Sequence, residues 1–127
     1  MSYTKEDLIQ YRLKKAANSL EEVKTLAEIN HWDTVANILY YSCFYAVTAY
    51  FAQQDIKAIT HTGIKSAFHQ TLIKTGLLNI EFGKLYNDLF NKRQEADYKD
   101  FVSFEAEIIE PLIEEVEVFV EKMEELI

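Results

Sequence analysis

One segment of this chain gathers hydrogen-bond donors and acceptors where an apolar helix face runs out: Asn91-Lys92-Arg93-Gln94-Glu95-Ala96-Asp97-Tyr98. A guanidinium is a planar, permanently charged fork that grips phosphate or carboxylate oxygens in pairs, and a phenol beside it offers a hydroxyl or a stacking ring. Arg93 and Asp97 stand four residues apart, so they can also pair along one helix, a bond worth only about 0.3–0.5 kcal/mol at a surface. The segment therefore reads in two ways. Either Arg93 is a structural arginine satisfied by Asp97 or Glu95, or it is a cation aimed at a phosphate, with Lys92, Asp97 and Tyr98 around it.

Other chemistries find little support. There is no Gly-rich phosphate loop, no pair of histidines at helical metal-ligand spacing and no nucleophile elbow. His31, His61 and His69 are scattered, and the single Cys43 adds little, so neither a metal site nor a cofactor is expected. His61, in a predicted loop before the third helix, could bring an imidazole from elsewhere. An isolated loop histidine is more often solvated or capping.

The elements that would position these residues are all helices. A first helix is predicted over Lys5–Glu28, capped by Thr4 with Asp7 three residues on, its stripe Ile9, Leu13, Ala16, Leu20, Val23 and Ala27 spaced four and three in turn. Asp33 suits the cap of a second, Thr34–Gln53, whose apolar side is joined by Tyr40, Tyr41, Phe44, Tyr45, Tyr50 and Phe51. Such a helix is either central or at an interface. A loop over Asp55–Thr62 leads to a short helix, Gly63–Thr75, stopped by Gly76. Asn79 caps a fourth, Ile80–Asp97, and its inner face Phe82, Leu85, Tyr86, Leu89 and Phe90 continues onto Arg93. Ser103 suits the cap of a fifth, Phe104–Glu125, with a bend or restart expected near Glu107–Pro111 and a solvated acidic face from Glu114 to Glu125. Four long helices, one short accessory helix and brief connections make an all-α, antiparallel up-and-down bundle in a single domain, residues 1–127.

Composition agrees. In 127 residues there are three Gly, one Pro and 16 Tyr or Phe, so turns are few and elements long. No stretch approaches 18 uncharged apolar residues, and Met1-Ser2-Tyr3-Thr4-Lys5 lacks a signal core, so the expected location is the cytoplasm, away from membranes. A lone Cys43, expected as a small apolar filler, fits a reducing compartment. The net charge of −8 disfavours broad polyanion binding, yet residues 57–99 carry seven Lys or Arg against four Asp or Glu. Screening confines repulsion from the acidic remainder to roughly 8–10 Å, so a local basic surface can still meet an anion.

Four blocks together resemble the HEPN (higher eukaryotes and prokaryotes nucleotide-binding) domain family, in its small stand-alone bacterial form: Tyr11-Arg12-Leu13-Lys14-Lys15-Ala16, Ala36 to Ala46, Thr60-His61-Thr62-Gly63-Ile64, and Leu89 to Tyr98. The resemblance covers nearly the whole chain. It implies a helical bundle that forms a homodimer with two copies of the motif facing one groove. It also implies a minimal nucleotidyltransferase encoded beside it in a toxin-antitoxin pair and, in active members, metal-independent RNA cleavage. Arg93 matches the arginine of the family's motif. The histidine expected after a spacer of four to six residues is absent: Tyr98 and Asp100 stand at the two ends of that window. An imidazole exchanges protons near neutral pH, whereas a phenol, with a pKa of about 10, is a poor base there. Toxin-type members are also silenced by nucleotide transfer onto a tyrosine two residues past that histidine. Asp100 occupies that position here, with Tyr98 nearby.

Three readings follow. The first is a nucleotide- or RNA-binding module paired with a nucleotidyltransferase, using Arg93, Asp97, Tyr98, Lys92 and His61. The second is an active ribonuclease in which Arg93 stabilises the phosphorus centre and Tyr98 or His61 moves the proton. The third is a helical assembly partner that docks through Tyr40, Tyr41, Phe44 and Tyr45, with Arg93 structural.

Overall fold

In the computed structural model, which describes residues 2–100 and 102–127, helix α1 spans Lys5–Glu28, with both ends marked by their chemistry. The Thr4 hydroxyl accepts from the Asp7 amide at 3.0 Å, and the Asp7 carboxylate accepts from the Thr4 amide at 3.0 Å, closing the expected capping box. The Thr4 amide, and then the Thr4 hydroxyl beside it, hold the Asp7 carboxyl below the usual carboxylate range. Past the other end Asn30 takes the left-handed conformation, φ 59°, and the amide of His31 bonds back to the Leu26 carbonyl.

Helix α2 spans Trp32–Gln54. It starts two residues before the expected Thr34, at a position with no side-chain cap, because the Asp33 carboxylate is used elsewhere. Its Oδ1 accepts from the amide of Phe104 at 2.7 Å and ties the connection between the last two helices to the head of α2. Between Thr34 and Gln54 the helix carries no charge, and by length and composition it is long and apolar enough to cross a membrane, contrary to the expectation above. Its residues are instead buried nearly all round, as those of a core helix are. Small residues let α1 lie close along it: Ala16 and Ala46 are fully buried, and the buried Ser42 hydroxyl donates to the Ala16 carbonyl at 2.9 Å.

Thr60, not Gly63, opens the third helix. Its hydroxyl accepts from the Gly63 amide at 2.9 Å, so α3 runs His61–Phe68 and His61 sits in the first helical turn rather than in the expected loop. A π-helical turn follows, His69–Ile73, and Gly76 at φ 81° ends the segment as expected. The wider turn presents His69 to the next helix, where its Nε2 lies 2.8 Å from Asn87 Oδ1. A Cβ on Gly83 would come within 2.9 Å of that imidazole, so a larger residue there would have to displace the ring from Asn87.

Helix α4 spans Ile80–Tyr98 and buries Leu85, Tyr86, Leu89 and Phe90 on the expected face. Helix α5, Ala106–Leu126, begins two residues later than Phe104, because the Phe104 amide bonds to Asp33 and Glu105 takes the cap position expected of Ser103. The helix continues through Pro111 without restarting. Pro111 and Glu107, whose carbonyl loses its partner there, both face solvent, where water can satisfy the carbonyl. Glu114, Glu115, Glu117, Glu121, Glu124 and Glu125 are exposed, as read from the sequence. All of these elements are helical, with no strand among the described residues, and the bundle closes around α2, which packs against α1, α4 and α5. Cys43 is buried in that core and its thiol is pushed above its ordinary range by burial.

Candidate phosphate site

Arg93 follows Phe90 by three residues on the inner face of α4, one turn before the helix ends, and this register carries it from the core to the rim. Its side chain is 17% exposed. Two aromatic rings of α2 receive the guanidinium: its Cζ lies 5.3 Å from the ring centre of Tyr40 and 5.3 Å from that of Tyr41. Cation–π contacts of this kind are worth about 0.5–1 kcal/mol each at exposed sites and more where water is excluded. The pair with Asp97 is present but loose, 3.6 Å between Arg93 Nη2 and a carboxylate that is 44% exposed. The Nε–H of Arg93 is buried and makes no hydrogen bond among the described residues. A buried donor without an acceptor costs about 1–3 kcal/mol, so the guanidinium holds unused capacity for an anion.

His61 joins the same rings from α3. Its Nδ1 is 2.8 Å from the Tyr40 hydroxyl, and its ring packs 4.8 Å from Phe44, centre to centre, at a tilt of 34°. Partial burial, and then the Arg93 charge, hold the His61 pKa below its ordinary value, so the imidazole is neutral at neutral pH. Burial pushes the Tyr40 hydroxyl upward, against smaller opposing effects of Tyr86 and Arg93, and it stays a phenol. The deeper Tyr86 hydroxyl is also raised by burial and meets no hydrogen-bond geometry, although Tyr40 is its polar neighbour. Lys65, one turn along α3 from His61, sits with its Nζ 4.4 Å above the Phe90 ring.

The remaining residues singled out in the sequence lie apart from this cluster. Lys92 is paired with Asp88 on its own helix and is 17% exposed. Tyr98, the last residue of α4, is 82% exposed and shares an outer hollow with Asn91, Gln94, Glu95 and Lys99. At 100° per residue, five steps place it roughly 140° around the helix from Arg93. Within one chain, phenol and guanidinium do not face one another. Tyr40 and Tyr41 are what the sequence reading missed: both stood out only as core or interface aromatics. No three of His, Cys, Asp or Glu converge as metal ligands among the described residues.

Comparison with known proteins fits this architecture. The sequence profile of the HEPN domain matches residues 9–126. A UPF0332 protein of Thermotoga maritima is 34% identical over 97% of this chain and 93% of its own length. A protein of Methanocaldococcus jannaschii designated a candidate toxin is 32% identical over 87% of this chain and 75% of its own, and a UPF0332 protein of Archaeoglobus fulgidus is 23% identical over 91% and 92%. The matched span runs from the first turns of α1 to the last residue of α5 and includes the whole Arg93 cluster; the chain belongs to the HEPN domain family.

Proposed function

We propose that this chain is a homodimeric HEPN module of the toxin type, that it acts with a minimal nucleotidyltransferase encoded beside it, and that it binds nucleotide or RNA phosphate through Arg93. One observation carries the reading: a guanidinium at the rim of the bundle, seated on two tyrosine rings, whose Nε–H has no partner among the described residues and whose paired carboxylate is loosely held. A purely structural arginine would be expected to have its donors satisfied. Relatives designated candidate toxins support the biological setting. Tyr98 enters differently from Arg93. Exposed on the outer face of α4, it is available as an acceptor for nucleotide transfer, the modification that the family resemblance brings with it.

The reading is tested by fluorescence anisotropy of labelled single-stranded RNA at 50 and 150 mM salt, with light scattering on the same samples. A dimer that binds RNA, with affinity reduced about 30-fold by Arg93→Ala, is the expected outcome; a charged hydrogen-bonded contact is worth about 1.5–3 kcal/mol. A monomer that ignores RNA and nucleotides, both alone and mixed with the neighbouring gene product, would defeat it.

A further inference from the structure

Rings and cations alternate along the surface that leads away from Arg93. We propose that this surface is a binding track for single-stranded RNA, running from Arg93 across Tyr41 and Tyr45 of α2 to Lys15 and Tyr11 of α1. Bases stack on the rings, and Lys15 holds a second phosphate. The proposal rests on the phosphate-binding reading of Arg93 and extends it to a strand of several nucleotides.

The register of two helices builds the track. Tyr41 and Tyr45 are one turn apart on α2, their ring centres 6.1 Å apart, and Arg93 Cζ lies 5.3 Å from the first. Helix α1 lies antiparallel beside them, since its Ala16 carbonyl meets Ser42 while its Arg12 meets Thr48. That pairing brings Lys15 to the second ring. Its Nζ is 5.9 Å from the centre of Tyr45 and 5.6 Å from that of Tyr11, one turn earlier on α1. Tyr11 is 58% exposed, and beyond it Tyr3, at 71%, borders the same surface hollow with Asp7 and Leu8. The Asp7 carboxylate in that hollow is engaged by the Thr4 amide.

Charge on this face runs against that of the whole chain. The net charge is −8, yet from Leu8 to Leu20 helix α1 carries Arg12, Lys14 and Lys15 and no Asp or Glu, and α2 is uncharged from Thr34 to Gln54. Arg12 is used by the Thr48 carbonyl. Lys15 is paired with no carboxylate among the described residues, and the two ring faces attract its charge without neutralising it. Every base has a face that stacks on an aromatic ring, and cations set between the rings follow the backbone. Together they hold a single strand with little regard to its sequence. A duplex keeps its bases stacked on one another and offers the rings none.

The experiment compares the anisotropy of a labelled dinucleotide with that of a single-stranded RNA of about eight nucleotides, within the range of known single-strand sites, on the full chain. The longer RNA should bind about tenfold more tightly or better, and should lose that advantage when annealed to its complement. Tyr11→Leu, which keeps apolar bulk and removes the ring, should weaken the longer RNA about fivefold or more and leave the dinucleotide unchanged, whereas Tyr11→Phe should match the wild type within about twofold. Lys15→Gln should weaken the longer RNA and lower the slope of log affinity against log salt by about 0.7. Arg93→Ala should weaken both RNAs. Equal affinity for the two lengths, a duplex bound as tightly as the single strand, or full binding by Tyr11→Leu and Lys15→Gln would overturn the track and leave the Arg93 site intact. Light scattering that finds these two variants monomeric beside a dimeric wild type would assign the face to a second copy of the chain, and overturn the track as well. A wild type that binds neither RNA would overturn the Arg93 reading along with it.

Discussion

The chain has two arginines, and they are held in opposite ways. Arg12 of α1 reaches across to α2, where its Nη1 donates to the Thr48 carbonyl at 2.8 Å and joins two helices that already pack closely. Arg93 of α4 also reaches α2 but meets the faces of Tyr40 and Tyr41, which attract its charge and accept none of its hydrogen bonds in the plane of the fork. Its Nε–H is buried without a partner among the described residues. The first arginine is tied into the bundle. The second is positioned by it and left with binding capacity, and that difference separates a brace from a site.

The contrast should break cleanly under mutation. The largest effect is expected from Arg12→Ala, which removes a charged donor from the α1–α2 seam: a loss of about 2 kcal/mol in stability, read as a fall of several degrees in Tm, with RNA affinity unchanged. RNA binding that collapses in this variant, while the protein remains folded, would mean that the two arginines have been assigned the wrong way round. Asp97→Asn sharpens the comparison from the other side. Arg93 and Asp97 are joined by a partly exposed pair at 3.6 Å, which is worth at most about 1 kcal/mol. Releasing Arg93 should tighten RNA binding two- to threefold in an anisotropy titration, and leave Tm within about 2 °C; weaker binding would show that the carboxylate itself helps to hold the ligand.

Much of this fold can be read in the chain because side chains mark it. The Thr4 and Asp7 box fixes the start of α1, and the four-and-three spacing from Ile9 to Ala27 fixes its inward face. Boundaries go astray where a side chain that suits a cap is engaged elsewhere or not used at all. Asp33 looks like the cap of α2 but serves Phe104, and Ser103 looks like the cap of α5 while the helix starts beyond it. The π turn at His69–Ile73 leaves no trace in the sequence pattern, since one extra residue in a turn falls within the ordinary scatter of apolar spacing.

The site is half legible for a related reason. Arg93 follows from extending the stripe of α4, a local rule, and 100° per residue already turns Tyr98 off that stripe. The bond between Tyr40 and His61 spans 21 positions and two helices, and no periodicity reports it. Thr60 rather than a later residue caps α3, which places the His61 imidazole on the first helical turn instead of in a loop.

With only two arginines, the side-chain Nε–H region of a proton–nitrogen correlation spectrum contains one resonance for the brace and one for the site. Titrating single-stranded RNA into the labelled protein should shift the Arg93 Nε–H strongly as it gains an acceptor and leave that of Arg12 in place. Saturating RNA that leaves the Arg93 signal unmoved, or moves Arg12 instead, would contradict the claim that this guanidinium is the phosphate-binding group.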